Sequence, residues 1–130
     1  EVLGATIEKC REVGLFTLVC AESPERMERI LKFSPDLIAL EPPELIGGDI
    51  SVSSARPELI SDAVRIVQSA GGAGAGSKLL VGAGVKNAVD VSRCLELGAA
   101  GVLLASGVTK AQDPKSALLN LVSGFQKFEK

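Results

Sequence analysis

Glu41 opens the segment Glu41-Pro-Pro-Glu-Leu-Ile-Gly-Gly48, directly after the apolar run Asp36-Leu-Ile-Ala-Leu40. A short apolar run bounded by turn residues reads as a buried strand, which puts the carboxylate at the strand's C-terminal rim. Pro42 holds Glu41 extended, and Pro43 stiffens the start of the loop. A carboxylate fixed in such a place and flanked by apolar chain suits proton abstraction from carbon. The plainer alternative is a rim carboxylate that only hydrogen-bonds the loop after it. Leu45-Ile46-Gly47-Gly48 then sets two apolar side chains and two glycines among polar neighbours. Such a stretch either closes over a ligand, with the glycines as a hinge, or packs permanently on a neighbouring helix.

Two later turns have a different chemistry. Gly82-Ala-Gly84 and Ala105-Ser106-Gly107 each follow an apolar strand and contain only small residues. Small residues let main-chain N–H groups approach an anion closely, so two such turns in successive units suit a phosphate. Gly82-Ala-Gly84-Val-Lys-Asn87 also mimics the start of a dinucleotide fingerprint, but the last glycine is missing. The tract Gly71-Gly-Ala-Gly-Ala-Gly-Ser77 precedes a strand at the opposite end and reads as a linker. Cys10, Cys20 and Cys94 are widely spaced, and the chain has no His. That leaves too few ligands for an ordinary zinc or iron site, so no metal is expected. The three thiols read as small buried hydrophobes of a reducing cytoplasm.

The elements that must position these residues alternate along the chain. Val2, Leu3, Ile7, Cys10 and Val13 recur at helical spacing, and Gly14 ends that helix. Leu15–Cys20 reads as a strand. Ser23 caps a helix with Pro24 in its first turn, running to about Phe33. Asp36–Leu40 is the next strand. The stretch from Glu41 to about Arg56 is long for a connection of this kind, and loops of that length are usually functional. Pro57 starts a helix with Leu59, Ile60, Ala63, Val64 and Val67 inward. Lys78–Val81 is a strand, followed by a helix over about Ala88–Leu97 that Gly98 caps. Gly101–Leu104 is the last strand. Asp113 and Pro114 open a final helix with Ala117, Leu118, Leu121, Val122 and Phe125 inward.

Strands separated by helices run parallel with right-handed crossovers. A doubly wound sheet and a (β/α)8 barrel both fit that order. Four strands are half a barrel, since a complete one takes about 250 residues. The chain opens on a helix with no strand before it and lacks an initiator Met, so residues 1–130 are expected to be the C-terminal half of a single barrel domain. Hydrophobic residues make up 46% of the chain and the net charge is −2, with 14 basic residues scattered rather than clustered. That argues against nucleic acid as a partner. No run reaches the roughly 18 apolar residues of a membrane span, and there is no leader of the secretory kind. A cytoplasmic location is therefore expected. Aromatic residues are only 3%, without Trp or Tyr, so the core must be aliphatic, as buried parallel strands prefer.

Together these segments resemble the C-terminal half of an archaeal-type triosephosphate isomerase. The resemblance rests on Ala39-Leu-Glu-Pro-Pro-Glu-Leu-Ile-Gly-Gly48, Ser51-Val-Ser53, Pro57-Glu58, Val81-Gly-Ala-Gly-Val85 and Gly101-Val-Leu-Leu-Ala-Ser-Gly-Val-Thr-Lys110. It implies a TIM barrel that interconverts dihydroxyacetone phosphate and glyceraldehyde 3-phosphate, in glycolysis and gluconeogenesis, without metal or organic cofactor. Glu41 matches the base that shuttles a proton between C1 and C2. Pro42, Pro43, Glu44, Leu45, Ile46, Gly47 and Gly48 match the lid. Ile46, Gly84, Ala105 and Ser106 match the positions whose backbone grips the phosphate. The family's other catalytic residues, a Lys after the first strand and an electrophilic His after the fourth, are not in these 130 residues. The chain alone is therefore expected to be inactive. The resemblance also implies a homotetramer.

Two details depart from the family pattern. About two extra residues lie around Gly71–Ser77, and the lid lacks the Trp usual in bacterial and eukaryotic relatives, which suits the archaeal type. Two other readings compete. One is another phosphate-binding barrel such as an aldolase or synthase; a Schiff-base aldolase needs an inward Lys, and Lys78 at the start of its strand is far from the rim. The other is a non-catalytic half-barrel scaffold, which leaves Glu41 and the lid unexplained.

Overall fold

Among the described residues four short strands, β1 (Leu18–Ala21), β2 (Leu37–Leu40), β3 (Lys78–Val81) and β4 (Gly101–Val102), pair in parallel in their order along the chain. The computed structural model describes residues 2–48, 50–70 and 76–128. Sequential order decides between the two architectures left open above. A doubly wound sheet reverses its strand order at a switch point, whereas right-handed crossovers advancing always in one direction lay every helix on one face. The chain therefore folds as part of a (β/α) barrel.

Helices α1 (Val2–Glu12), α2 (Pro24–Leu31), α4 (Pro57–Ser69), α5 (Ala88–Glu96) and α7 (Pro114–Ser123) are joined by two single-turn helices, α3 (Val52–Ala55) and α6 (Ser106–Thr109). The caps read from sequence at Ser23 and Asp113 are in place, and the structure adds a third at Asn87. The Ser23 side chain accepts from Arg26 N, Asn87 accepts from Val89 N and Asp90 N, and Asp113 accepts from Ser116 N. Gly14 and Gly98 take φ of +75° and +101°, the left-handed conformation that ends a helix.

Strand alternation sorts the side chains into two sets. Ile38, Leu40, Leu79 and Val81 join Met27, Ile30, Leu31, Ile60, Ala63, Val91 and Cys94 in one buried aliphatic cluster between sheet and helices. Truncating one of these, such as Ile38→Ala, is expected to cost about 2–5 kcal/mol. The alternate residues face the other way: Leu18 and Cys20 on the outer strand β1 are exposed, whereas Ala39 on the inner strand β2 is buried there too. Cys20 therefore departs from the buried setting expected for all three cysteines. Cys94 is buried and Cys10 half-buried.

The inward faces of the first and last helices are also narrower than their spacing implies. Val2, Val13, Leu118 and Val122 are exposed, and α1 and α7 bury only Ile7 and Leu121 respectively. β1 and β4 are the outer strands of the sheet, so the helices beside them have neighbours on one side only. β1 begins at Leu18 rather than Leu15, and Leu15 and Phe16 are exposed. Its start is set by Thr17, whose N and Oγ1 both donate to Asp36 Oδ2 at 2.7 Å, while Asp36 N donates back to Thr17 Oγ1 at 3.0 Å. β4 spans two residues and not four, although Leu103 N still donates to Val81 O at 2.9 Å before the chain turns away. The linker reading of Gly71–Ser77 falls on residues 71–75, which lie outside the described residues.

Candidate active site

The sheet's hydrogen-bond ladder carries Glu41 to the rim. Glu41 N donates to Ala21 O at 2.8 Å and Gly82 N donates to Leu40 O at 2.9 Å, so the backbone is pinned from both neighbouring strands. The side chain lies against Gly82: a Cβ built there would stand 2.5 Å from Glu41 Cγ and 2.7 Å from Cδ. On the β1 side the Cys20 thiol lies near the same carboxylate. Cys20 is solvent-exposed, yet its thiol is pushed up to about 11, first by partial burial against the strands, then by the hydrogen bond to Glu41 and that residue's charge.

The loop after Glu41 is ordered by its own turns. Pro42 is buried, and Pro43–Leu45 forms a 3-10 turn. Leu45 N donates to Pro42 O at 3.0 Å, Ile46 N to Pro43 O at 3.2 Å and Gly48 N to Leu45 O at 3.1 Å. Gly47 is left-handed, with φ of +71° and open space around it, so glycine is needed there for conformation and not for room. The two apolar residues differ in their surroundings. Leu45 packs on the core cluster, while Ile46 is 57% exposed at the edge of a cleft. Arg56 reaches Glu44 at 3.7 Å, an exposed pair that contributes little.

That cleft lies at the C-terminal ends of β2, β3 and β4. One wall is Glu41 with Ile46, Gly47 and Gly48; the second is Ala83, Gly84, Val85 and Lys86; the third runs from Leu103 to Gly107. It therefore brings Glu41, Ile46, Gly47, Gly48, Gly84, Ala105 and Ser106 together, and leaves Pro42, Pro43, Glu44 and Leu45 outside its lining. Ala83 and Gly84 are both left-handed, with φ of 66° and 74°. A non-glycine residue held there stores about 1–2 kcal/mol of strain, a cost that marks functional turns. Gly84 has no room for a side chain, because its Cβ would meet Ile50 O and lie 2.7 Å from Ser51 Cα. The third wall opens α6, whose first amides have no acceptor within the helix. A carboxylate, main-chain amides from two turns, apolar walls and Lys86 at the rim make a site for a small anion with an acidic C–H bond. Lys78 stands at the opposite end of β3.

Sequence reasoning missed one cluster beside this cleft. Ser51 Oγ donates to Asp90 Oδ1 at 2.7 Å, Lys86 N donates to Asp90 Oδ2 at 3.0 Å, and Arg93 reaches Ser54 Oγ at 2.8 Å. The signal was Ser51-Val-Ser-Ser54 together with an Asp in the first turn of a helix, each of which reads as ordinary capping on its own. Cys94 lies just beneath, its thiol pushed up to about 12 chiefly by burial, with the Asp90 charge adding to it. Among the described residues no group of His, Cys, Asp and Glu has the arrangement of a metal site. No helix among them is long and apolar enough to cross a membrane.

Comparison with known proteins gives two kinds of match. The family model for triosephosphate isomerase matches residues 2–124. The triosephosphate isomerase of Methanobrevibacter smithii is 45% identical over 117 residues, which is 90% of this chain and 51% of that protein. That of Methanocaldococcus jannaschii is 45% identical over 118 residues, covering 91% and 52%. The chain thus spans about half the length of the curated relatives it matches. Among solved structures, a lactate oxidase of Pediococcus acidilactici superimposes with a TM-score of 0.69 at 17% identity, over 96% of this chain and 34% of the other. A flavocytochrome b2 mutant with pyruvate bound gives a TM-score of 0.66 at 17% identity, over 96% and 32%. At that identity the structural likeness bears on the fold alone.

Proposed function

The chain belongs to the triosephosphate isomerase family, and from that premise we propose that it is the C-terminal half of a barrel enzyme interconverting dihydroxyacetone phosphate and glyceraldehyde 3-phosphate. The observation that carries this reading is the single cleft in which Glu41, the loop to Gly48 and both small-residue turns converge. Glu41 is the base. It takes a proton from C1 of the ketone, and the resulting enediol(ate) receives the proton back at C2. The carbon proton returns at C2 and the hydroxyl proton passes from O1 to O2, so the conversion is redox-neutral and needs no net oxidant. The phosphate sits on the amides of the Gly84 turn and of Ala105 and Ser106, with Ile46 closing from the loop. Residues Pro42–Gly48 form the lid, which on closing excludes water and strengthens every electrostatic contact inside.

The Lys and His that complete the family's chemistry belong to the other half, so the 130 residues alone do not turn over substrate. The cytoplasm as compartment, a homotetramer as assembly, and the absence of nucleic-acid or membrane partners belong to the same reading. The test is a coupled isomerase assay on the complete protein that contains this half. Glu41→Gln is expected to lose most of kcat with KM little changed, and near-normal turnover by that variant overturns the assignment of the base.

A further inference from the structure

One buried carboxylate ties the loop that carries Ile46 to the turn that carries Gly84. Asp90 lies in the first turn of α5 and is 8% exposed. Its Oδ1 accepts from Ser51, itself buried, at 2.7 Å. Its Oδ2 accepts from the Lys86 amide at 3.0 Å. Each oxygen thus holds a different arm: Ser51 at the exit of the loop, Lys86 at the exit of the turn. Ser51 has a single hydroxyl proton, committed to Asp90, so the 2.8 Å contact with Ser53 Oγ is donated by Ser53. Two further contacts close the same joint. Val52 N donates to Ala83 O at 3.2 Å. Gly84 presses on Ile50 O and Ser51 Cα too closely for a Cβ to fit.

Local folding accounts for the bond from Lys86, because an acidic side chain in the first turn commonly accepts from the main chain just before the cap, but it does not call for the bond from Ser51. Asn87 already caps α5 by accepting from Val89 N and Asp90 N. Ser51 precedes α3 but makes no capping bond to it, committing its hydroxyl to Asp90 instead. A buried charge is costly to desolvate, and it is retained where its charge-assisted hydrogen bonds hold a specific geometry. We infer that Asp90 is a positioning residue that locks the exit hinge of the lid to the Gly82–Gly84 turn, so that seating of the lid and grip on the phosphate change together. The inference rests on the isomerase reading of the cleft.

The test uses the complete protein, with inhibition by 2-phosphoglycolate, isomerase kinetics and thermal unfolding measured on each variant. Ser51→Ala is expected to weaken 2-phosphoglycolate about tenfold and to lower kcat/KM by a similar factor in protein that remains folded at the assay temperature, alongside a fall of some degrees in melting temperature from the unsatisfied Asp90 oxygen. Ser51→Thr keeps the hydroxyl and is expected to restore the affinity. Asp90→Ala combined with Ser51→Ala is expected to bind no more weakly than Asp90→Ala alone. Arg93→Ala, which removes only the contact with exposed Ser54, serves as the control and is expected to leave the affinity unchanged. A purely structural Asp90 predicts the fall in melting temperature alone: the folded form of Ser51→Ala binds 2-phosphoglycolate like wild type. That result overturns the inference. A wild-type protein that neither isomerises triose phosphates nor binds 2-phosphoglycolate overturns the isomerase reading instead, and this inference falls with it.

Discussion

Replacing Gly82 by alanine tests whether the space beside Glu41 is needed for proton transfer. Gly82 is not left-handed, so its backbone accepts an L side chain, and the three atoms nearest the added methyl all belong to the Glu41 side chain. Cβ would stand 2.5 Å from Glu41 Cγ, so the carboxylate must retreat by about 0.9 Å to restore an ordinary 3.4 Å contact. It cannot retreat freely, because its backbone is held by Ala21 O and Cys20 lies on the other side. A displacement near 1 Å of a reacting group costs about 100-fold in rate, or about 2.7 kcal/mol of barrier. The fold responds in the other direction. Gly→Ala at a compatible backbone restricts the unfolded chain and stabilises by about 0.4–1 kcal/mol. The expected signature in the complete protein is therefore a kcat about 100-fold lower with an unchanged or slightly higher melting temperature. Turnover within about threefold of wild type in a folded Gly82→Ala protein refutes the reasoning. Loss of activity accompanied by a collapse in melting temperature refutes it equally, since the clash would then be with the fold.

Gly84→Ala should behave differently, because both φ of 74° and the contact with Ile50 O forbid the side chain. It is expected to lower the melting temperature by several degrees and weaken phosphate inhibition together. Asp36 is held below the usual carboxylate range first by the Thr17 amide and then by its hydroxyl. A depressed folded value means its contribution is fully present above the unfolded value of about 3.9 and is lost as pH falls through the lower folded value. Thermal unfolding of wild type should therefore fall off more steeply below about pH 4 than that of Asp36→Asn, and identical acid limbs would show the bond contributes nothing. In the 130-residue chain, Glu41→Gln removes a negative charge beside Cys20, whose thiol pKa stands at about 11, and leaves only a weaker amide-oxygen acceptor there. Cys20 alkylation at pH 8.5 should accelerate several-fold, whereas buried Cys94 should remain slow; an unchanged Cys20 rate would mean Glu41 does not face the thiol.

Much of this was readable before any coordinates. The alternation of helix and strand, the caps at Ser23 and Asp113 and the stops at Gly14 and Gly98 are local effects, decided by residues a few positions apart. The motif around Glu41 named a rim carboxylate for the same reason: an apolar strand followed by two prolines is a local signal. The two small-residue turns were legible as potential anion sites because their composition alone controls how near a backbone can come.

What the sequence determined by itself, then, was the inventory of elements and their chemical ends, because periodicity, capping and proline act over short spans. The tertiary structure alone decided how those ends meet. Strand order chose the barrel over the doubly wound sheet, because both share one local pattern and differ only in which strand lies beside which. Side-chain exposure at Cys20, Leu118 and Val122 followed from standing on an open face or beside an outer strand, which periodicity cannot register. Packing assigned Leu45 to the core and Ile46 to the cleft, although their types are nearly identical. The room for Glu41 beside Gly82 and the bond between Ser51 and Asp90 join residues about 40 apart, and no local rule links such distant positions.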